Sequence, residues 1–237
     1  MNNVKGKLII LKNMKKIIFV FTLALITHAS PAQKSVYNSQ PERLFNQGKE
    51  MFLEGNYTGA QDILKEYISG SNDRILKEEA AYMIAVSSFR KGNENSGEIL
   101  KEFLESYPET VHKHQVNFLI ASNYYDKKEW QNALQWFNMA DLDYLSLDEQ
   151  EDYSFRLGYT QMQLGNRDEA RRYFGLLSQN SRKYRDAADF YLGYIEYANG
   201  NYSTAMSRFD RLRNNTLYQE DVAFYTAQSA FFDGIIE

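Results

Sequence analysis

Apolar residues in this chain recur with helical spacing in short blocks, and several blocks end at a glycine. In residues 153–164 the apolar positions cover more than one side of a helix, so this helix needs packing partners on several sides. These positions are Phe155, Leu157, Tyr159, Met162 and Leu164. Gly165 can take the left-handed conformation that ends a helix, and Asn166 suits the N-cap of the next one. With three prolines and no alternating Val, Ile and Thr runs, the pattern predicts an all-α chain.

The blocks repeat a phrase in which Gly, Gly, Ala and an apolar residue stand at offsets 0, 7, 12 and 16, beginning at Gly48, Gly158 and Gly193. The turn glycines are spaced 37, 73, 35 and 34 residues apart, at Gly55, Gly92, Gly165, Gly200 and Gly234. A nearly fixed period of this length predicts a stack of helix pairs, each covering the apolar surface of the next. Such a stack offers a long surface rather than a catalytic cleft.

The phrase resembles the tetratricopeptide repeat, a helix–turn–helix unit of about 34 residues. Leu157-Gly158 and Leu192-Gly193 match its Leu-Gly pair, and Ala133, Ala170 and Ala205 match its small residue, each with Phe four positions later. The resemblance implies a right-handed superhelical solenoid of antiparallel helix pairs, with about five and a half repeats. It also implies a concave groove, lined by the first helices, in which partner segments bind.

Some features depart from the family pattern. The Trp column is missing, and the large aromatic stands one position later, as at Phe118 and Phe155. The second repeat is irregular between Gly92 and Leu100, and the third has Lys127–Glu129 in place of its turn glycine. This variant resembles the divergent repeats of bacterial cell-envelope proteins. We therefore expect a non-catalytic protein-interaction scaffold or adaptor of the cell envelope.

The N-terminal segment has the pattern of an export signal. Lys15 and Lys16 precede an apolar run at residues 17–26, and small residues follow at 29–32. The run is short for a membrane span, so we expect cleavage between Ala29 and Gln33, with an uncleaved anchor as the alternative. The predicted organisation is an N-terminal extension and signal peptide at 1–32, a linker at 33–40 and a repeat array at 41–237, truncated in the sixth repeat.

The chain has no cysteine, so it can form no disulfide and cannot carry the lipidated cysteine of a bacterial lipoprotein. Its net charge is −4, and residues 1–32 contribute five lysines and no acid, so the exported form is more acidic still. This balance disfavours nucleic acid and anionic lipid as partners. We expect a periplasmic or secreted protein with protein or peptide partners and no stable membrane span after signal cleavage.

The sequence contains no recognised catalytic or cofactor-binding motif. His112 and His114 are two residues apart, so on a helix they point to different sides and make a poor metal pair. The acidic stretch at residues 148–152 lacks the glycine and the spaced ligands of a calcium loop. We expect no enzyme activity, no cofactor and no metal.

Aromatic residues recur at matching positions of the first helices. Each repeat is numbered so that its first Gly or Ala is position 8, which gives Gly48, Ala85, Ala121, Gly158, Gly193 and Ala227. In the family that the chain resembles, positions 5, 9 and 12 look toward the groove. The candidate partner-binding residues are Tyr82, Phe118, Tyr125, Asp152, Phe155, Tyr159, Gln163, Phe190, Tyr194 and Tyr197.

These aromatics allow other interpretations. At positions 5 and 12 they also suit the filling of space between successive first helices, whereas Tyr159 and Tyr194 are better placed to reach solvent, together with Asp152 and Gln163. An aromatic groove could alternatively make the chain a glycan-binding module. Residues 235–237 would begin the second helix of the sixth repeat, and the uncapped repeat could support self-association.

Overall fold

The computed structural model describes residues 40–234. The predicted signal peptide, all but the last residue of the predicted linker, and residues 235–237 lie outside this range. The described part is helical throughout, with eleven α-helices, one 3-10 turn at Leu142–Tyr144 and no strand. The helices are α1 Gln40–Leu53, α2 Tyr57–Gly70, α3 Arg74–Arg90, α4 Ser96–Ser106, α5 Lys113–Asp126, α6 Trp130–Phe137, α7 Leu147–Gln163, α8 Arg167–Asn180, α9 Arg185–Ala198, α10 Tyr202–Asp210 and α11 Gln219–Phe232.

The helices form five pairs and one further first helix, α11, over the described range. Each helix packs against the next along the chain, and most first helices also contact the first helix of the following pair: α1 with α3, α3 with α5, α5 with α7 and α9 with α11. Between residues 40 and 234, second helices of successive pairs make no contact of similar extent, so the first helices form the more closely packed side of the stack. The predicted all-α solenoid of helix pairs is confirmed, while its handedness stays a prediction.

The turns follow the repeat with one substitution. Gly55, Gly92, Gly165 and Gly200 each take a positive φ between their two helices, and in the third unit Lys128 takes the same conformation with φ 60°. An L-residue accepts this left-handed conformation less readily than glycine does. The short α6 begins at Trp130, two residues after Lys128, so the third unit keeps the helix–turn–helix geometry without its glycine.

The predicted N-cap residues of two helices differ in the hydrogen bonds that they make. Ser146 and Glu149 form a complete capping box at the start of α7. Asn166 stands at the N-cap of α8 as predicted, but it makes no side-chain capping bond. Its amide Nδ2 donates to Gln161 Oε1 at 2.8 Å instead.

In the first, fourth and fifth units the second helix packs directly onto the glycine at position 8 of its own first helix. A Cβ placed on Gly193 would lie 2.6 Å from the ring of Phe209, and one on Gly48 would lie 2.6 Å from Leu64 Cγ. Leu64 and Phe209 are completely buried. The bare backbone at position 8 therefore allows the large side chain four residues after the Ala column to sit directly against the first helix.

Successive units are joined by stacked rings that the sequence pattern did not reveal. In three units the position-5 aromatic lies nearly parallel to the ring of the residue that precedes the next first helix. These pairs are Tyr82 with His112, at 3.7 Å between ring centres, Phe155 with Tyr184 at 4.4 Å, and Phe190 with Tyr218 at 5.0 Å. Position 5 therefore belongs to the contact between units.

In two of these three contacts, an acidic residue at position 2 of the first helix also binds the residue that stacks on position 5. His112 Nε2 lies 2.7 Å from Glu79 Oε2 and donates to this carboxylate, and the Tyr184 hydroxyl donates to Asp152 Oδ1 at 2.9 Å. Lys183 also pairs with Asp152. The hydrogen bond from His112 lowers the pKa of Glu79 below its ordinary value. Each of these joints thus combines a stacked ring pair with a charge-assisted hydrogen bond.

The position-8 packing predicts opposite effects for two glycines within helices. Gly193→Ala places its Cβ against the Phe209 ring and should lower the free energy of unfolding by about 1–3 kcal/mol. Gly175, inside α8, has open space around its would-be Cβ, so Gly175→Ala should stabilise the protein by up to about 1 kcal/mol through helix propensity. Urea denaturation of both variants measures the difference. Stabilisation by both substitutions would refute the close approach at Gly193.

The Glu79–His112 bond predicts a pH-dependent contribution to stability. Because the folded-state pKa of Glu79 is lowered, its contribution is present above the unfolded pKa of about 4.3 and is lost as the pH falls through the folded value. Glu79→Gln should therefore lower the free energy of unfolding at pH 7 by less than about 1 kcal/mol, since the pair is partly exposed. The gap should close as the pH falls below about 4. Glu66→Gln, an exposed site on α2, is the control, and an equal loss there would show a general charge effect.

Candidate functional site

The ten residues predicted for partner binding divide by exposure. Tyr82, Phe118 and Phe190 are 8%, 5% and 9% exposed, so their rings are unavailable to a partner in this conformation. Gln163, the last residue of α7, is exposed. The others are half-buried, namely Tyr125, Asp152, Phe155, Tyr159, Tyr194 and Tyr197. Of these, Asp152 and Phe155 contribute to the joint between the fourth and fifth units.

The half-buried rings of the last four units form two clusters, and the buried Phe190 joins them, with its ring centre 5.4 Å from that of Tyr191 and 6.3 Å from that of Tyr225. Tyr125, Trp130 and Tyr159 pack edge-to-face with ring centres 5.6–5.7 Å apart, and Tyr159 continues to Tyr191 at 5.3 Å. We call this surface the aromatic face. Its members are Tyr125, Trp130, Tyr159, Tyr191, Tyr194, Tyr197 and Tyr225.

Position 6 links the aromatic face from one unit to the next. Tyr225, at position 6 of α11, lies 5.5 Å from Tyr194 and 5.2 Å from Tyr197, at positions 9 and 12 of α9. Tyr191, at position 6 of α9, lies against Tyr159 in the same way. The rings at positions 9 and 12 thus pack against position 6 of the following unit, and part of each ring remains exposed.

Sequence reasoning missed Tyr191, Tyr225 and Trp130. The two tyrosines stand 34 residues apart in the same column, so a signal was present in the repeat alignment. Position 6 could not be assigned to the surface, because Met83 and Leu119 occupy it in earlier units and are buried. Trp130 begins the second helix α6 and carried no periodic signal.

Burial raises the pKa of three tyrosines of this face above its ordinary value. It raises the pKa of Tyr125 to about 12, and it also raises the pKa values of Tyr191 and Tyr225 above their ordinary value. At physiological pH these groups therefore remain protonated. The aromatic face offers apolar ring edges together with hydroxyls that can donate or accept hydrogen bonds.

A polar depression adjoins the aromatic face at Tyr125. It has a volume of about 420 Å³ and includes Arg90, Asn123, Asp126 and Arg156 in its lining. The Arg156 guanidinium lies 4.8 Å from the centre of the Tyr125 ring, and its Nη1 is 2.6 Å from Asp126 Oδ1. The ring of Tyr125 and the charged groups of Arg156 and Asp126 therefore lie next to each other.

His112 and His114, whose spacing in the sequence makes a poor metal pair, each stack on a tyrosine ring. His112 stacks on Tyr82, and His114 lies 4.5 Å from the centre of the Tyr144 ring. Over residues 40–234 no group of three or more His, Asp or Glu residues could hold a metal ion. No helix in the same range is both long and apolar enough to cross a membrane.

Comparison with known proteins identifies the repeat. Residues 152–181, which include most of α7 and all of α8, match the tetratricopeptide repeat family model. Comparison with curated proteins finds no match.

Solved structures share the fold at low sequence identity. A tetratricopeptide repeat protein from Parabacteroides merdae matches with a TM-score of 0.59 and 19% identity over 82% of this chain and 73% of its own. MamA AMB-1 matches with a TM-score of 0.58 and 17% identity over 74% and 91% of the two chains. The apo form of RapI matches with a TM-score of 0.58 and 18% identity over 83% and 77%.

The family match lies on the fourth unit, and the first and fifth units repeat its geometry of turn glycine, small residue and seated side chain. These findings confirm the resemblance that the sequence suggested. The described part of the chain has the helical-solenoid fold of a solved tetratricopeptide repeat protein, and one of its units matches the family model.

Proposed function

We propose that this chain is a non-catalytic protein-interaction scaffold of the bacterial cell envelope, and that it binds a partner segment on its aromatic face. The observation that carries this proposal is the pair of half-buried ring clusters between Tyr125 and Tyr225, which the buried Phe190 joins. Tyrosine and tryptophan supply a large contact area with few rotatable bonds, and they are enriched at the energetic centres of protein interfaces.

The packing of the rings favours a peptide or protein ligand. Because position 6 of each following unit holds the rings at positions 9 and 12, binding requires little further ordering of the scaffold. The depression with Arg90, Asp126 and Arg156 adds charged groups at one end of the aromatic face. An extended segment or a helix that crosses successive first helices could contact both surfaces.

The cell-envelope part of the proposal rests on the sequence of residues 15–32. A basic pair, a short apolar run and small residues support export to the periplasm or the medium. If the protein is exported in this way, the N-terminus of protein isolated from its own cells should begin between Ser30 and Gln33. An intact N-terminus on protein in the cytoplasm would contradict export.

Glycan binding is the second candidate function. Trp130, Tyr125 and Tyr159 form the kind of ring cluster on which sugars stack, although Arg156 already occupies one side of the Tyr125 ring. Trp136→Phe leaves Trp130 as the one tryptophan in the chain, so its fluorescence reports on the aromatic face. Saturable quenching by oligosaccharides, together with no protein partner, would favour the glycan hypothesis.

Site-specific photocrosslinking in the cells that make the protein tests the leading proposal. A photoreactive residue at Gln163 or Tyr194 should capture the same partner protein, whereas one at Gln179, exposed on the second helix α8, should not. With the purified partner, Tyr194→Ala should weaken binding by about tenfold or more. Equal capture from all three positions, or no protein adduct at Gln163 and Tyr194, would contradict the proposal.

A further inference from the structure

Exposed aliphatic side chains recur where first helices begin. Ile75, Val111, Leu147 and Leu217 are 79–83% exposed, more than any other large apolar side chain between residues 40 and 234. Ile75, Val111 and Leu217 stand ten residues before position 8 of their units, and Leu147 stands eleven before it. Single exposed apolar residues are common on protein surfaces, but their recurrence at one place in a repeat marks a surface that contacts something.

These four residues, which we call the aliphatic row, lie along one edge of the stack. Each second helix returns the chain to the side on which its first helix began, so the first helices run in the same direction and start at the same edge. Ile75, Val111 and Leu147 belong to the second, third and fourth units, which have described units on both sides. Their exposure therefore does not arise from where the described range ends.

The charge beside the aliphatic row changes sign between the third and fourth units. The first turns of α3 and α5 carry Arg74, Lys77 and Lys113 and no acidic residue. The first turn of α7 carries Asp148 and Glu149 and no basic residue. Basic side chains near a helix N-terminus oppose the helix dipole, so the three cations do not stabilise their own helices in this place. Lys113 and Asp148 are exposed, and neither forms an ion pair within residues 40–234.

Tyr144 connects the basic and acidic parts of this edge. It lies in the segment before α7, is 65% exposed, and stacks on His114 with 4.5 Å between the ring centres. His114 follows Val111 by three residues, and Tyr144 precedes Leu147 by three. Val111, Tyr144 and Leu147 are thereby brought together where the third and fourth units meet, and we call these three residues the joint patch.

A second copy of the chain complements the joint patch. If the copy is related by a two-fold axis through the patch, its α7 faces α5 of the first copy and its α5 faces α7. Each Val111 then meets a Leu147, and each Lys113 meets an Asp148 of the other copy. A surface that is apolar at its centre and opposite in charge on its two sides is complementary to itself, whereas a different protein would need the same arrangement independently.

We propose that the chain associates with itself through the joint patch, as a two-fold dimer in which two Lys113–Asp148 ion pairs flank an apolar centre. A few exposed side chains cover on the order of a few hundred Å² per partner, less than the roughly 800 Å² of a stable complex. The dimer is therefore weak and forms where the protein is concentrated. The joint patch shares no residue with the aromatic face, so the failure of either proposal leaves the other standing.

Sedimentation equilibrium of the purified protein from about 1 to 300 μM measures this association. We expect a reversible monomer–dimer equilibrium that Lys113→Glu and Asp148→Lys each weaken by at least about fivefold. The double variant Lys113→Glu/Asp148→Lys should restore it, because the exchanged charges still complement each other. Lys113→Glu/Glu66→Lys is the matched control: Glu66 is exposed on α2, so this variant restores the net charge without restoring the pair.

The apolar centre is tested in the same way. Leu147→Ser should weaken the dimer by at least about fivefold, whereas Leu53→Ser should not, because Leu53 is 72% exposed but lies at the end of α1, on the opposite edge of the stack. These positions are exposed, and circular dichroism of each variant checks that the fold is retained.

Three results would overturn the proposal. They are a monomer over the whole concentration range, a dimer indifferent to Lys113→Glu and Leu147→Ser, and rescue by Glu66→Lys as complete as rescue by Asp148→Lys. Association that Phe224→Ser abolishes and Leu147→Ser leaves intact would count equally against it, since Phe224 at the end of the described stack would then be the contact.

A photoreactive residue at Val111, in the cells that make the protein, distinguishes a second copy from other occupants. The expected adduct has twice the mass of the chain. If the products contained only another protein or a lipid, the joint patch would have a different occupant and the proposal would be wrong.

Discussion

The structure depends on one contact that recurs in the first, fourth and fifth helix pairs: a large side chain of the second helix seated on the glycine at position 8 of the first. At Gly48 and Gly193 the backbone is bare, and Leu64 and Phe209 occupy the space that a Cβ would need. Burial of each such side chain contributes about 1.5–3 kcal/mol. Since the seat lies in the middle of the first helix, this contact fixes the spacing of the pair and leaves the helix's other sides for neighbouring units.

Those other sides join the units and hold the candidate binding surface. Stacked rings such as Phe155 with Tyr184, supported by Asp152, close the contact between units. Position 6 of the next first helix then packs on the rings at positions 9 and 12. The aromatic face is therefore part of the structure that stabilises the stack. Stability and proposed binding depend on the same side chains.

Much of the fold could be predicted from the sequence because the repeat is local. The turn at Gly165 and the Ala170–Phe174 pair each lie within one helix pair, and the structure confirms the helices they predicted. Lys128 shows the limit of this reasoning, since a non-glycine residue takes the left-handed turn of the third unit.

The candidate site was harder to predict, because exposure depends on the neighbouring unit. Tyr82 and Phe190 share position 5, and both are buried under residues that precede the next first helix, His112 and Tyr218. Those residues lie in connecting segments without a repeat signature. The repeat period predicts which residues share a column, but it contains no information about which loop covers that column.

Amide hydrogen exchange in dilute solution tests most directly whether the seated side chain stabilises each first helix. Helix α9 has its own second helix, α10, whereas α11 has none between residues 40 and 234. The account predicts strong protection in α9 and the fastest exchange among the first helices in α11. Equal protection of α9 and α11 in the monomer would contradict it, because a first helix would then be stable without a side chain on its position 8.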